Sequence, residues 1–405
     1  MSPRGGLDGD PKTGFLHEVK DAVSLRTALL VLGVLAVQLA FIASYIGAFH
    51  KPKPHEIPIA VAVAAPAQLP PDPAQAAAAK KQLEAARDQA VERLSNLPGK
   101  PLKPSASSSE ANALSRIMDR GVDGALIIDP QGTQDKLLVA SGGGASLSQA
   151  LEEVMTKVEA VQKRTVKTVD VVPDAPGDAR GLSAFYLVVG WCVGGYLCAS
   201  ALAISAGAKP ANPARAVIRL AAMAAYAVVA GLLGAVIAGP ILDALPGSVM
   251  ALWGLGSLLV FAVGAITLAF QGLAGIVGIG LAILLVVVLG NPSAGGAYPY
   301  PLLPGFWRHL GPILPPGAGT FAARSIAYFK GNGMGGAFLT LAAWAVGAAA
   351  VALVMSFVRQ DKKDLEAAAE EQHERRAGPA TGTGAGKPAA GNGERPAGGA
   401  GEQRA

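Results

Sequence analysis

Three consecutive glycines, Gly142-Gly143-Gly144, are the residues in this chain that come nearest to a phosphate cradle. A glycine-rich loop before a helix can offer its backbone N–H groups to an anion. A nucleotide-binding loop, however, needs Lys and Ser or Thr directly after the last glycine. Here Ala145 and Ser146 follow, so the run reads as the end of a strand and the start of a helix, and the chain is expected not to hydrolyse ATP by itself. Cys192 and Cys198 stand six positions apart in one apolar stretch, on different faces of a helix, and read as small core residues. His17, His50, His55, His309 and His373 lack the close spacing of metal ligands. No nucleophile elbow, H-E-x-x-H motif or paired catalytic carboxylates stand in a suitable context. The expectation is a non-enzyme without metal or cofactor.

The most distinctive segment runs from Asn291 to Lys330. It contains Pro301-Leu302-Leu303-Pro304-Gly305-Phe306-Trp307-Arg308, then Pro312, Pro315, Pro316 and Gly317, then Arg324. Proline denies the helix interior a donor and fixes φ, while Trp and Tyr favour the membrane–water boundary. Such a load suits a re-entrant or interfacial hairpin, which is tolerated at membrane depth where it is buried in protein or faces water. Two readings stay open: an interfacial hairpin with aromatic anchors, or a gate over a substrate path. The gate candidates are Pro304, Gly305, Phe306, Trp307, Arg308, Pro312, Pro315, Gly317 and Arg324. If Leu302–Lys330 forms a gate, Arg308 and Arg324 are expected to stay at the interface, meeting water, lipid phosphate or a carboxylate, because an unpartnered buried charge is costly.

The elements that must position this hairpin are membrane helices. The sixty-four residues from Ala244 to Trp307 contain no Asp, Glu, Lys or Arg. Hydrophobic residues make up 51% of the chain and charged ones 16%, which places it among membrane proteins rather than basic nucleic-acid binders. A helix needs about 20 apolar residues to cross the hydrocarbon core. Six segments qualify as spans: Leu25–Phe49, Leu182–Ala206, Val217–Ile241, Val249–Ala269, Ile276–Asn291 and Gly335–Val358. The first is longer than a signal-peptide core and is preceded by twenty-four residues, so it reads as a retained anchor. Spans three to five carry no ionisable residue except Arg219 near one end, which disfavours proton or sodium coupling.

Positive residues cluster before span one (Lys12, Lys20, Arg26), between spans two and three (Lys209, Arg215, Arg219) and after span six (Arg359, Lys362, Lys363, Arg375, Arg376). With six spans these lie on one side, which the positive-inside rule makes cytoplasmic. Both termini are then cytoplasmic, in the plasma membrane. Residues 50–181 form an extracytoplasmic region. It opens with a Pro/Ala-rich linker, His50–Ala74, followed by a helix over Gln75–Leu97 and a second linker, Gly99–Ser109. The remainder shows the order helix, strand, strand, helix, strand, with a core of Ile117, Leu126, Leu137, Leu151, Val154 and Val158. A unit of about 75 residues is marginal alone and is expected to be braced by a partner or by the membrane part. Residues 1–24 read as an amphipathic cytoplasmic segment, and residues 359–405 as a charged helix and a disordered Gly/Ala/Pro tail.

This layout, with Pro301–Trp307, Pro312, Pro315 and Gly317, resembles the permeases of type-2 ABC exporters, in particular the Pip-like (phage-infection-protein-like) bacterial branch. The resemblance implies a mainly α protein with a six-helix membrane domain and a small α/β extracytoplasmic domain between spans 1 and 2. It further implies half of a homodimer, contact with membrane lipid, and a separate ATPase subunit powering outward movement of a hydrophobic or amphipathic substrate. In that family short helices of the outer hairpin dip into the membrane near the exit, and the loop after span two contacts the ATPase. Lys209, Arg215 and Arg219 are the coupling candidates. The other expectation is a non-transporting membrane protein whose exported domain binds envelope components or partner proteins.

Overall fold

A computed structural model describes residues 25–65, 71–210 and 212–377. The segment 1–24, with Lys12 and Lys20, and the tail from 378 onward lie outside the described residues. The chain is mostly helical with one small sheet. Among the described residues five helices are long and apolar enough to cross a membrane: Thr27–Phe49, Ser183–Ala206, Pro213–Ile241, Val249–Ala274 and Gly335–His373. The stretch expected as a further span is a shorter apolar helix, Val277–Ser293.

Helix α1 (Leu25–Phe49) is apolar on every side, and its large side chains are exposed almost throughout. That is the surface expected of a helix solvated by lipid rather than by water. Ser44 and Ala48, near its end, are buried, and the Ser44 hydroxyl donates to the Val288 carbonyl.

The sheet follows. Its strands are β1 (Ile57–Val63), β2 (Leu102–Ala106), β3 (Gly124–Ile128), β4 (Gln134–Val139) and β5 (Thr165–Asp170), in spatial order β2-β1-β3-β4-β5. Only the β3–β4 pairing is antiparallel, closed by the Asp129-Pro130-Gln131-Gly132 turn. The two segments that composition marks as linkers therefore supply β1, the central strand of a parallel trio, and β2. Pro52, Pro54 and Pro58 mask the run that follows them. From Ile59 to Val63 there is no proline, and alternation of Ile57, Ile59 and Val61 with Ala60 and Ala62 gives each sheet face its own apolar row.

Helix α2 (Pro73–Ser95) crosses from β1 to β2, opened by Asp72, whose carboxylate accepts from Ala74 N at 2.8 Å. Helix α3 (Glu110–Met118) joins β2 to β3, capped by the Ser109 hydroxyl on Asn112 N at 3.1 Å. Helix α4 (Ala145–Val161) joins β4 to β5. Leu94 of α2, with Leu151 and Met155 of α4, packs with Ile57, Ile59, Val61, Leu126 and Leu137. Of the expected core, Ile117, Leu126, Leu137 and Leu151 are fully buried, while Val154 and Val158 are half-buried. The opposite face, Ala60, Ala62, Ala125 and Ile127, joins Ile117 in a core that runs without interruption into the helical bundle through Tyr328 and Phe329. That continuity supplies the bracing so small a sheet needs.

The bundle comprises α5 (Ser183–Ala206), α6 (Pro213–Val236, ending in a π-turn at Ile237–Ile241), α7 (Val249–Ala274), α8 (Val277–Ile283, continuing through Leu284–Gly290 to Ser293) and α11 (Gly335–Ala377). Small residues let the helices close on one another: Gly231 of α6 packs against Gly256 and Ser257 of α7, and Gly195 of α5 against Val260 and Val263. Two further helices, α9 (Gly305–Leu310) and α10 (Pro315–Tyr328), belong to the hairpin between α8 and α11. Cys192 is buried and Cys198 half-buried in α5, and both are free thiols.

Candidate functional site: the proline-rich hairpin and its junction with the sheet

The hairpin enters the bundle. Pro315 and Pro316 start α10, where a missing N–H and a fixed φ suit a helix. Gly319, one turn on, faces Leu259 of α7 and Val188 of α5, so that a Cβ there would sit 3.0 and 3.1 Å from their side chains. Leu259 lies ten residues into α7 and Val188 five into α5, or ~15 and ~8 Å along those helices. At its other end Tyr328 touches Gly142 in the sheet region. Helix α10 thus starts within the bundle and runs out to the sheet.

Its seat depends on two glycines. A Cβ on Gly317 would lie 2.0 Å from the Gly311 carbonyl oxygen, and one on Gly311 would lie 2.2 Å from the Ser293 carbonyl oxygen. Gly305 is different: only Arg308 Nη2 comes near, at 3.7 Å, so nothing there demands glycine. Pro304 precedes α9 in an extended conformation. Phe306 is exposed and stacks edge-on against Trp307, with ring centroids 4.9 Å apart. Trp307 lies beside Gly47 of α1. Pro312 and Ile313 roof an apolar groove of about 630 Å³ between α7 and α11, where the Trp344 indole donates to the Ile313 carbonyl at 2.8 Å.

Of the two hairpin arginines, Arg324 departs from expectation. Arg324 is buried, at 3% exposure, and its hydrogen-bond partners are backbone carbonyls rather than a carboxylate. Nη1 donates to Gly295 O at 2.6 Å, and Nη2 to Gly296 O at 2.8 Å and Gly181 O at 3.0 Å. Carbonyl dipoles thereby replace the water that burial removes. Arg308 is half-buried and donates to His55 O at 3.5 Å. Among the coupling candidates, Lys209 and Arg215 are exposed, but Arg219 is buried and donates to Ala206 O at 2.6 Å and Gly207 O at 2.7 Å. Through Nη2 it closes the C-terminus of α5, while Nη1 has no hydrogen-bond partner.

Sequence reasoning missed the residues that tie the sheet to the hairpin. Arg120 stands just after α3, and its guanidinium carbon lies 3.6 Å above the Phe321 ring centroid and 4.8 Å from that of Phe329. Its Nη1 donates to Phe321 O at 2.9 Å and to Ser325 Oγ at 2.7 Å. Tyr328 donates to the fully buried Asp178 carboxylate at 2.5 Å, and the same carboxylate accepts from Ser183 N, opening α5. Asn332 donates to Met118 O at 3.1 Å, His55 N to Pro301 O at 3.0 Å and Ser146 Oγ to Ala297 O at 2.8 Å. The one available signal was the glycine run. Gly142 abuts the Tyr328 ring and Gly144, at φ +139°, abuts Pro299, so the run is the surface on which the hairpin rests.

Between the sheet and the hairpin lies a cavity of about 220 Å³ lined by Arg120, Asp123, Tyr300, Arg324, Phe321 and several prolines. Burial raises the Asp123 carboxyl to about 6, with the positive Arg120 partly offsetting it. Burial pulls Arg120 down to about 10, so the guanidinium stays charged at neutral pH. Among the described residues no group of His, Cys, Asp and Glu could hold a metal ion. No family model, curated protein or solved structure matches this chain.

Proposed function

We propose that this chain is the membrane-embedded permease subunit of an ABC-type exporter, moving a hydrophobic or amphipathic substrate outward under power from a separate ATPase, and that it works as a homodimer. The observation that carries the reading is the re-entrant α10, seated between α5 and α7 and tied at its far end to a folded domain. A passive interfacial loop has no need of a helix that starts inside the bundle, whereas a gate must reach the path it closes. The absence of a phosphate loop assigns ATP hydrolysis to another subunit.

In this reading α8 is a sixth span. Its seventeen residues cover ~25 Å, somewhat less than the ~30 Å core, a mismatch that local thinning accommodates. At one end of the bundle Lys209 lies against Gly275, and Arg359 donates to Gly272 O and Pro210 O. At the other, Ser293 meets the hairpin. Six crossings put Lys209, Arg215 and Arg359 in the cytoplasm and the sheet outside.

One observation favours a second reading, a non-transporting membrane protein whose exported domain binds envelope components or partner proteins. Among its described residues the α5–α6 connection holds no helix that could meet an ATPase, and Arg219 Nη2 is engaged in closing α5. Purifying the tagged full-length protein in mild detergent and identifying what accompanies it separates the two. A stoichiometric ATPase supports the exporter; its consistent absence from native membranes favours the second reading.

A further inference from the structure

Helix α1 is held by its last turns. There the Ser44 hydroxyl donates to the Val288 carbonyl, Gly47 lies beside Trp307, and Phe49 meets Tyr298 with ring centroids 5.8 Å apart. Toward its start α1 stands away from α8 and leaves an apolar groove of about 540 Å³. Leu29, Gly33 and Val37 line one wall, and Val277, Gly280 and Leu284 the other. A Cβ on Gly33 or on Gly280 would meet nothing within 4 Å, so these glycines border open space rather than a tight helix crossing. Leu29 to Val37 and Ile276 to Leu284 each cover ~12 Å of helix. Half of a hydrocarbon core of ~30 Å is ~15 Å. The groove is about one leaflet deep, and it ends where α1 closes on α8.

The charge at its mouth decides what suits it. Ile276, the first residue of the α8 wall, follows Gly275, and Lys209 Cε comes within 3.3 Å of where a Cβ on Gly275 would stand. Lys209 is exposed and, among the described residues, has no hydrogen bond or ion pair. Close by, Arg359 donates to Pro210 O at 3.4 Å and to Gly272 O at 3.3 Å. From residue 179 to residue 360 the sequence holds one acidic residue, Asp243, which follows α6 at the far end of the bundle. Helices α5 to α8 therefore bring no carboxylate to Lys209. A second copy of this chain could fill the groove, but its α1 and α5 to α8 carry no carboxylate either. A soluble anion would meet the lysine and leave the groove empty. An anionic lipid supplies an apolar chain and, at the level where the groove opens, a phosphate. We propose that the α1–α8 groove holds one acyl chain of an anionic glycerophospholipid whose phosphate is met by Lys209. The lipid wedges the free start of α1 against α8. This binding requires only that the apolar helices lie in a membrane, and it is independent of transport.

The test uses the full-length protein in mild detergent. Dioleoyl phosphatidylglycerol is the anionic probe, dioleoyl phosphatidylcholine the control with the same chains, and glycerol 3-phosphate the soluble anion. Thermal denaturation gives the concentration for half-maximal stabilisation, and native mass spectrometry counts bound lipids and protein chains. Phosphatidylglycerol is expected to act at about fivefold lower concentration than phosphatidylcholine, the effect of one lysine at a membrane surface, and glycerol 3-phosphate not to act. Lys209→Gln should bring phosphatidylglycerol to the level of phosphatidylcholine, and Gly280→Leu should fill the groove and weaken both lipids several-fold. Lys209 is exposed and Gly280 faces open space, so both variants are expected to fold. Equal potency of the two lipids, an unchanged preference in Lys209→Gln, or stabilisation by glycerol 3-phosphate alone would overturn the proposal. So would an unchanged lipid response in Gly280→Leu, and if that variant also separates a dimer into single chains, the groove belongs to a second copy.

Discussion

The guanidinium carbon of Arg120 lies over the ring of Phe321, 3.6 Å from its centroid, while Nη1 donates to the carbonyl of that same residue at 2.9 Å. One side chain from the sheet region thus grips both the backbone and the aromatic face of α10. A planar fork can do this and a lysine ammonium cannot. Arg120→Lys should therefore loosen the junction by about 1–3 kcal/mol although the charge is kept. Hydrogen exchange across Phe321–Phe329 should rise in the variant. Exchange equal to the unaltered protein would show that the grip contributes little.

Gly317 and Gly305 make an internal contrast. Alanine at 317 would place its methyl on the Gly311 carbonyl, so the backbone must shift, at a cost of about 1–3 kcal/mol for overpacking. Alanine at 305 meets open space in the first turn of α9 and should be neutral or slightly stabilising. Melting temperatures of both variants in one detergent check this, and equal losses would contradict the seating described for α10.

Asp123 gives the junction a pH dependence of known sign. Its carboxyl is raised to about 6 in the folded protein against about 4 unfolded, so between these values the folded state binds more protons. Its contribution is thus most favourable below pH 4 and is lost as pH rises through 6. Asp123→Asn should flatten that part of the stability curve. A variant whose stability falls with pH as steeply as the original between 4 and 6 would assign the titration to another group.

How far the sequence was legible follows from range. The long apolar helices could be read because a charge-free run is a local property, visible in the run from Ala244 to Trp307. Helix α2 was legible from its Ala, Glu, Gln, Lys and Arg content, helices α3 and α4 from periodicity, and strands β3 to β5 as short apolar or β-rich runs. Strand β1 was not, because Pro52, Pro54 and Pro58 dominate the composition around it, although the alternation from Ile57 to Val63 was present. The hairpin stood out by its prolines, but its anchor did not: Arg120 and Ser325 are 205 positions apart, and nothing local marks either. Arg324 was misread for a related reason. Burial of an arginine looks prohibitive until the carbonyls of Gly181, Gly295 and Gly296 are seen to converge on it.

Orientation is open to a direct check. Ser107 is buried at 3% exposure, whereas its neighbour Ser108 is exposed, as is Gln360 near the opposite end of the bundle. With Cys192 and Cys198 replaced by alanine, Ser108→Cys should react with an impermeant maleimide from outside intact cells and Gln360→Cys only after lysis. Outside labelling of Gln360→Cys would invert the topology or change the number of crossings.

The exporter reading is tested most directly by ATP turnover of the copurified assembly in nanodiscs, measured beside membrane abundance for Trp307→Ala and Pro312→Ala. Trp307 holds the hairpin beside α1, and Pro312 roofs the apolar groove between α7 and α11. Neither lies in a helix long enough to cross the membrane, so insertion should be intact. The account predicts normal abundance with substrate-stimulated turnover reduced several-fold in both variants. Normal abundance with normal turnover in both, or an assembly that contains no ATPase, would contradict it.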